Sequence, residues 1–519
     1  MIFGVYYLSA WPVLSRSESS HWEGLYSTLF VSGRGTLDQA AEIADIRSTV
    51  ARFFTVYDVN VSYDMVELMV TPELPNLEEK FEGLRKEMFS KGYIPILEYT
   101  AGEHKITMVR KPPQVKRRFY VNLAFLLATT LTTIYAGMIL WQSYSGAREL
   151  YTLDNLVWGV LTFAIPLLLI LGTHELSHFF MSKRYGVDAS LPYFIPAPPP
   201  IGTFGAFISM RDPMPSKKAL IDIGFAGPLG GLLVAIPVAF IGLLLNTGAT
   251  PNTDLVPAGQ MGINLPLFFE AILSFVPLPA GVSLHPTAFA AWVGFFVTAI
   301  NLLPAGQLDG GHIARGLLGK NAKYLSIATV AVLFVLGIVF YLGWLLFAAL
   351  IAFLGLSHPA PLNDVSKIGK KHLVVGVLSV AIMVGSFVFT PLFLVPSVAT
   401  FDLQVQESNE TTVAAGGAAM FLMTINNTGT MNVTVDLNVQ AVPSGWSALV
   451  YENGGSSAEA TNSVTIAIPY AESAIVALRV MVPEAEPTGT KVLKLEAAAI
   501  DAGAAETTQI DRYFTIHVI

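Results

Sequence analysis

Residues Val157–Met181 read VWGVLTFAIPLLLILGTHELSHFFM. The run is apolar and uncharged for most of its length, then carries His174, Glu175 and His178 near its end. Its 25 residues would make a helix about 37 Å long at 1.5 Å per residue, enough to cross a hydrocarbon core of about 30 Å. Other uncharged apolar stretches cluster between about Phe119 and Val395, with ordinary mixed sequence on both sides. The chain as a whole is 53% apolar and 13% charged, against about 25% charged in soluble globular proteins. These features predict a polytopic α-helical membrane protein, embedded in a lipid bilayer, with two soluble appendages.

Seven spans are expected, at 119–141, 157–181, 219–245, 287–303, 324–342, 343–356 and 373–395, which together make a membrane core over residues 119–395. The uncharged stretch 325–357 is too long for one straight span and is read as a hairpin turning near Gly343. Lys and Arg number 5, 5, 3 and 3 in segments 110–118, 182–218, 304–323 and 358–371, against one and none in 142–156 and 247–286. Because basic residues gather on the cytoplasmic side, the N-terminus is expected in the cytosol and the membrane is taken to be the plasma membrane. The apolar start, Met1–Leu14, lacks a basic n-region and is not read as a signal peptide. Residues 1–35 show no period and stay unassigned.

Residues 36–112 predict a small cytosolic α+β domain. Val66, Leu68 and Val70 alternate as on a half-buried strand, and Leu77, Phe81, Leu84 and Met88 mark one helix face. Strands are expected around Tyr93–Tyr99 and His104–Arg110, followed by a linker ending in the basic Lys116–Arg118. From 401 to 519 the pattern is β, with Val433, Val435, Leu437 and Val439 alternating and turns at Asn427–Gly429 and Gly454-Gly455. A β-sandwich outside the cytoplasm is expected there. That part carries 13 Asp and Glu against 4 Lys and Arg, and nucleic-acid binding, which needs a basic face, is not expected. The sequence leaves the oligomeric state open.

The chain has no cysteine, so any metal must be held by His, Asp or Glu. His174 and His178, four apart, project from one helix face and can ligate one ion, with Glu175 placed to reach a water on it. This is H-E-x-x-H, the zinc metalloprotease pattern. Each such group costs about 2.5–3.5 kcal/mol if left unpaired at mid-membrane, so the cluster either binds something or forms a buried structural network. A second unusual sequence, INLLPAGQLDGGHIARG from Ile300, puts Asp309 after a helix-breaking Pro304 and before two glycines. That suits a bent segment swinging a carboxylate toward another helix. A membrane metal transporter and a non-catalytic scaffold are the alternative readings.

HELSH together with NLLPAGQLDGG, and Gly227-Pro228 in FAGPLGG between them, resembles the site-2 protease family over about 157–318. The resemblance implies an intramembrane zinc metalloendopeptidase acting on membrane-protein substrates, with one Zn2+ held by His174, His178 and Asp309. It also implies that Glu175 is the catalytic base and that Asn301 lies near the metal, contacting substrate or oxyanion. The segment PYFIPAPPPIGTFGAFISM from Pro192 is too Pro-rich for a helix. It reads as a re-entrant loop whose Gly202 and Gly205 stretch offers a strand edge to substrate, or as an ordinary loop. The C-terminal part resembles extracellular Ig-like modules.

Overall fold

The computed structural model of the chain describes residues 6–7, 36–62, 65–112, 119–246, 261–277, 284–452, 462–501 and 503–519. The unassigned stretch 1–35 (but for Tyr6–Tyr7), the basic Lys116–Arg118 and the Gly454-Gly455 turn lie outside the described residues. The chain divides into two compact units. One comprises Met1–Thr247, Leu265–Pro277 and Leu284–Phe389, and the other Gly248–Asn264, Leu278–Ser283 and Thr390–Ile519.

After a two-residue strand, Tyr6–Tyr7, paired in parallel with Ser209–Met210, the first unit continues with helix α1 (Thr36–Ala51), strands β1 (Thr55–Ser62) and β2 (Met65–Thr71), helix α2 (Leu77–Ser90), and strands β3 (Tyr93–Thr100) and β4 (Glu103–Arg110). The strands form one antiparallel sheet in the order β1-β2-β4-β3. Leu68 and Val70 of β2 bury with Leu77, Phe81, Leu84 and Met88 of α2 in one core, which is what the two periodicities require. Ala101 (φ 55°) and Gly102 (φ 88°) join β3 to β4, the two positive φ values that suit a twisted two-residue hairpin.

The apolar helices follow: α3 (Phe119–Ser145), α4 (Leu153–Arg184), α5 (Lys217–Asn246), the short α6 (Leu267–Leu273), α7 (Pro286–Asn301), α8 (Asp309–Leu318), α9 (Ala322–Val339), α10 (Gly343–Leu354) and α11 (Lys370–Ser386). A π-helical turn at Val160–Ala164 interrupts α4, and one 3-10 turn, Gly319–Asn321, joins α8 to α9. Between α4 and α5 lie β5 (Tyr193–Pro196) and β6 (Thr203–Phe207), an antiparallel hairpin.

The count of seven spans is corrected. Among the described residues four helices are long and apolar enough to cross a membrane: Phe119–Ser145, Leu153–Arg184, Lys217–Asn246 and the continuous Asp309–Val339. The other three, α7, α10 and α11, have 16, 12 and 17 residues, short of the roughly 20 needed. Hydropathy runs on where the helix does not. Leu302 and Leu303 belong to the turn before Pro304, residues 340–342 separate α9 from α10, and the chain is extended at Phe387. The break at 340–342 makes α9 and α10 two helices, with Leu345 packed at Gly337.

In the second unit, strands β7 (Phe401–Val405), β8 (Glu410–Val413), β9 (Ala418–Asn427), β10 (Val433–Gln440), β11 (Ser447–Glu452), β12 (Ser463–Ile468), β13 (Ser473–Met481), β14 (Gly489–Ala499) and β15 (Gln509–Val518) form two open sheets. Their orders are β7-β9-β13-β11 and β8-β15-β14-β10-β12. One hydrophobic core draws on both, including Phe421 and Leu478 of the first and Val435, Leu437, Leu493 and Phe514 of the second.

Helices α3 and α4 meet backbone to backbone: a Cβ on Gly137 would stand 2.3 Å from the Gly159 carbonyl oxygen, and one on Gly159 2.5 Å from the Met138 nitrogen. Such close approach is how apolar helices gain packing in lipid. Gly159→Val should therefore lower the thermal midpoint in detergent, by the equivalent of about 1–3 kcal/mol of overpacking. An unchanged midpoint would show that the helices separate at no cost.

Candidate metal centre

Four elements build the centre. Helix α4 carries His174, Glu175 and His178 along one buried face. Helix α7 ends at Asn301, the chain reverses through Leu302–Leu308, and Asp309 opens α8. The two glycines after Asp309 permit that reversal. A Cβ on Gly310 would lie 2.1 Å from the Leu302 carbonyl oxygen, and one on Gly311 2.3 Å from that of Gly306. Helix α5 supplies a stripe of small residues against the ligands. A Cβ on Gly227 would stand 2.0 Å from His178 Nε2, and one on Gly231 3.2 Å from His174 Nδ1. A Cβ on Gly224, one turn earlier, would stand 2.9 Å from both the Asp309 carbonyl oxygen and the His312 Cβ.

The structure brings together the ionisable residues that the sequence singled out. His174 Nε2, His178 Nε2 and Asp309 Oδ2 are mutually 3.2 Å apart, and all three residues are buried. This is the one such cluster of metal-ligating groups among the described residues. The set fits a zinc ion. Donors about 2.0–2.1 Å from a tetrahedral zinc lie about 3.3 Å from one another, and three protein ligands leave a fourth position open. His178 Nδ1 donates to the Ile223 carbonyl at 2.7 Å, which leaves the Nε2 lone pair turned toward the other two ligands. Two imidazole lone pairs and a carboxylate oxygen crowded in a water-poor interior repel unless a cation lies among them.

Around these atoms the polar groups are incompletely satisfied. Glu175 Oε2, Asp309 Oδ1 and His174 Nδ1 are buried without a hydrogen-bond partner. The Glu175 carboxylate accepts a hydrogen bond from the Ile208 backbone, and its Oε1 lies 4.0 Å from His174 Nε2. Asn301 Nδ2 stands 3.3 Å from His174 Nε2. Orphaned oxygens beside a ligand cluster mark where water and substrate groups belong.

Gly202 and Gly205 lie on the β5–β6 hairpin. Thr129 and Thr132, near the middle of the 27-residue α3, donate to the carbonyls of Phe194 (2.9 Å) and Gly202 (2.7 Å). The hairpin therefore lies alongside a membrane-length helix. Gly202 (φ 79°) and Gly205 (φ 98°) adopt backbone that L side chains avoid. A register shift next to Gly205 leaves Phe204 out of the ladder and half exposed. The residues that the sequence reading missed are Gly224, Gly231, Ile223 and Ile208. The two glycines repeat with Gly227 at helical spacing, a visible small-residue stripe, whereas backbone donors and acceptors leave no mark on sequence.

Residues 162–344 match the family model "Peptidase family M50". The chain is 37% identical over 219 residues to the probable zinc metalloprotease EGY1, chloroplastic, of Arabidopsis thaliana, covering 41% of this chain and 39% of that protein. It is 35% identical over 351 residues to the protein of the same name from Oryza sativa subsp. japonica, covering 58% and 60%. A third relative, the probable zinc metalloprotease EGY2, chloroplastic, of Arabidopsis thaliana, is 32% identical over 181 residues, covering 33% and 31%. The chain thus spans between about a third and three fifths of the length of these relatives. A likeness to the fimbrial subunit AggA of Escherichia coli, with TM-score 0.18 and 11% identity over 24% of this chain and 99% of that one, carries no argument about the second unit.

These relatives overturn the plasma-membrane expectation, since each is named as chloroplastic. Span length and basic-residue bias report a bilayer and a side of it, and neither identifies which membrane a chain occupies. Ligand geometry and family match coincide on one stretch of chain: residues 162–344, which match peptidase family M50, hold His174, His178 and Asp309.

Proposed function

We propose that the chain is an intramembrane zinc metalloendopeptidase that hydrolyses peptide bonds of membrane-spanning protein substrates. The observation that carries this reading is the buried triangle of His174, His178 and Asp309 with Glu175 beside it. When bound, zinc supplies a Lewis acid that acidifies water and polarises a carbonyl. Glu175 acts as general base, taking the proton of the attacking water on its free Oε2 and returning it to the leaving amine. Asn301 directs its amide N–H groups toward the developing oxyanion. No covalent link between chain and substrate is needed.

A substrate helix hides its peptide groups in internal hydrogen bonds and must unwind to be cut. The hairpin gives the freed backbone a partner. Thr129 of α3 occupies the β5 side at Phe194 and Thr132 the Gly202 carbonyl at the turn, so we assign the β6 edge from Thr203 to Phe207, with Gly205 in it, to the substrate as a third strand, Gly202 shaping the turn that presents it. Ile208, immediately beyond, hydrogen-bonds Glu175, which links the pairing edge to the base. We also read the two C-terminal sheets as the faces of a β-sandwich, because one core takes residues from both.

In proteoliposomes with a single-span model substrate, Glu175→Gln should keep its zinc and lose about 10²–10⁴-fold in cleavage rate, the range of general-base catalysis. Wild-type turnover by that variant would remove the proposed base. His178→Ala and Asp309→Ala should each lose stoichiometric zinc by elemental analysis, and full retention in either would remove that residue from the ligand set. Gly205→Val should raise KM with zinc content unchanged, because the φ of 98° strains any β-branched residue. An unaltered KM would take the hairpin edge out of substrate binding.

A further inference from the structure

The segment after α10 is a strap that pairs on both sides. Leu97 N–H of the sheet-edge strand β3 donates to the Leu362 carbonyl at 2.7 Å. On the other side, Leu362 N–H donates to Met214 O at 2.8 Å and Asn363 N–H to Pro215 O at 3.1 Å. Asn363 thereby bridges Leu97 and Ser216, the latter just ahead of α5. Leu362 is fully buried in the α+β domain's core, and the Asn363 side chain closes a local turn onto Val365 and Ser366. The next residue, Asp364, grips Arg315 with both oxygens, at 3.2 and 2.8 Å. Arg315 is 4% exposed and lies on α8, six residues or about 9 Å along the helix from Asp309.

The same α+β domain reaches two more elements of the metal centre, α4 and α5. Arg85, buried on α2, donates to the Tyr185 carbonyl at 3.2 Å, at the end of α4. Glu78 pairs with Lys218 at the start of α5. The Tyr185 hydroxyl donates to Asp222 at 2.5 Å. Burial and that carboxylate push the phenol above its ordinary range, so it stays a donor.

We infer that Asp364 is a positioning residue for Asp309: through Arg315 it holds the helix that Asp309 opens, and through the strap it ties that helix to the N-terminal α+β domain. Two of the three ligands share one helix and keep their spacing by helical geometry. The third arrives on a separate ten-residue helix after a sharp reversal, and its distance from the pair depends on what fixes α8. A bidentate guanidinium–carboxylate contact in a nearly dry setting is suited to that task, being directional as well as strong. The domain is then part of the frame of the metal centre.

The inference rests on the metal-centre reading, and the test separates the two. Full-length wild type, Asp364→Asn, Arg315→Gln, Arg315→Lys and the Asn/Gln double variant are purified in detergent. Zinc affinity is read by chelator competition, ligand geometry by the d–d spectrum of the cobalt-substituted protein, and folding by thermal midpoint. The neutral single variants should bind zinc about 10-fold more weakly, as is typical when support of a ligand is lost. Their cobalt spectra should be altered, and Arg315→Lys should recover part of the affinity. The double variant should lose no more than the worse single, because the pair acts as a unit. Wild-type affinity and spectrum in the folded fraction of the single variants, even with a lowered midpoint, would overturn the positioning role. Additive losses would overturn the pairing. Absence of zinc from the wild type would instead sink the metal-centre reading itself.

Discussion

Three donor atoms mutually 3.2 Å apart, contributed by residues 174, 178 and 309, are the constraint on which the rest of the first unit depends. In an apolar interior a carboxylate and two imidazole lone pairs are costly neighbours. They persist because a shared cation converts their repulsion into coordination. To let them meet, α5 is stripped to hydrogen at Gly224, Gly227 and Gly231. The chain also turns back sharply between Asn301 and Asp309, with Gly310 and Gly311 pressed on the turn that precedes them.

Two supports flank this centre and differ in kind. On one side the β5–β6 hairpin hangs on α3 by threonine hydroxyls that satisfy its carbonyls; in lipid such bonds replace the water that a soluble loop would use. Its outer strand pairs with no other described strand. On the other side the 362–364 strap joins the N-terminal sheet to the foot of α5 and fastens α8 through Arg315. One support leaves backbone groups available, and the other removes freedom from a ligand.

How much of this was legible in the sequence follows from the range of the forces involved. His174, Glu175 and His178 could be read because ligation needs a four-residue spacing within one helix. Asp309 could be read because its proline and glycines are chemically odd inside an apolar run. Val66, Leu68 and Val70, and the face of Leu77 to Met88, followed from local periodicity. The number of membrane-length helices could not, since hydropathy does not register the breaks after Asn301, Val339 and Ser386. The strap was invisible: a few paired residues between Pro359 and Ser366 carry no period, and their backbone partners Leu97, Met214 and Pro215 lie more than a hundred residues away. Which membrane the chain occupies was misread, because no interaction within the chain encodes it.

The central claim is that one zinc ion is held by two imidazoles and one carboxylate within the membrane-embedded helices. X-ray absorption at the zinc edge of the purified full-length protein tests it most directly. One equivalent of zinc, with nitrogen and oxygen donors at about 2.0–2.2 Å and the multiple-scattering signature of two histidines, is the predicted result. No bound zinc, or zinc in a shell without histidine scattering, would contradict it.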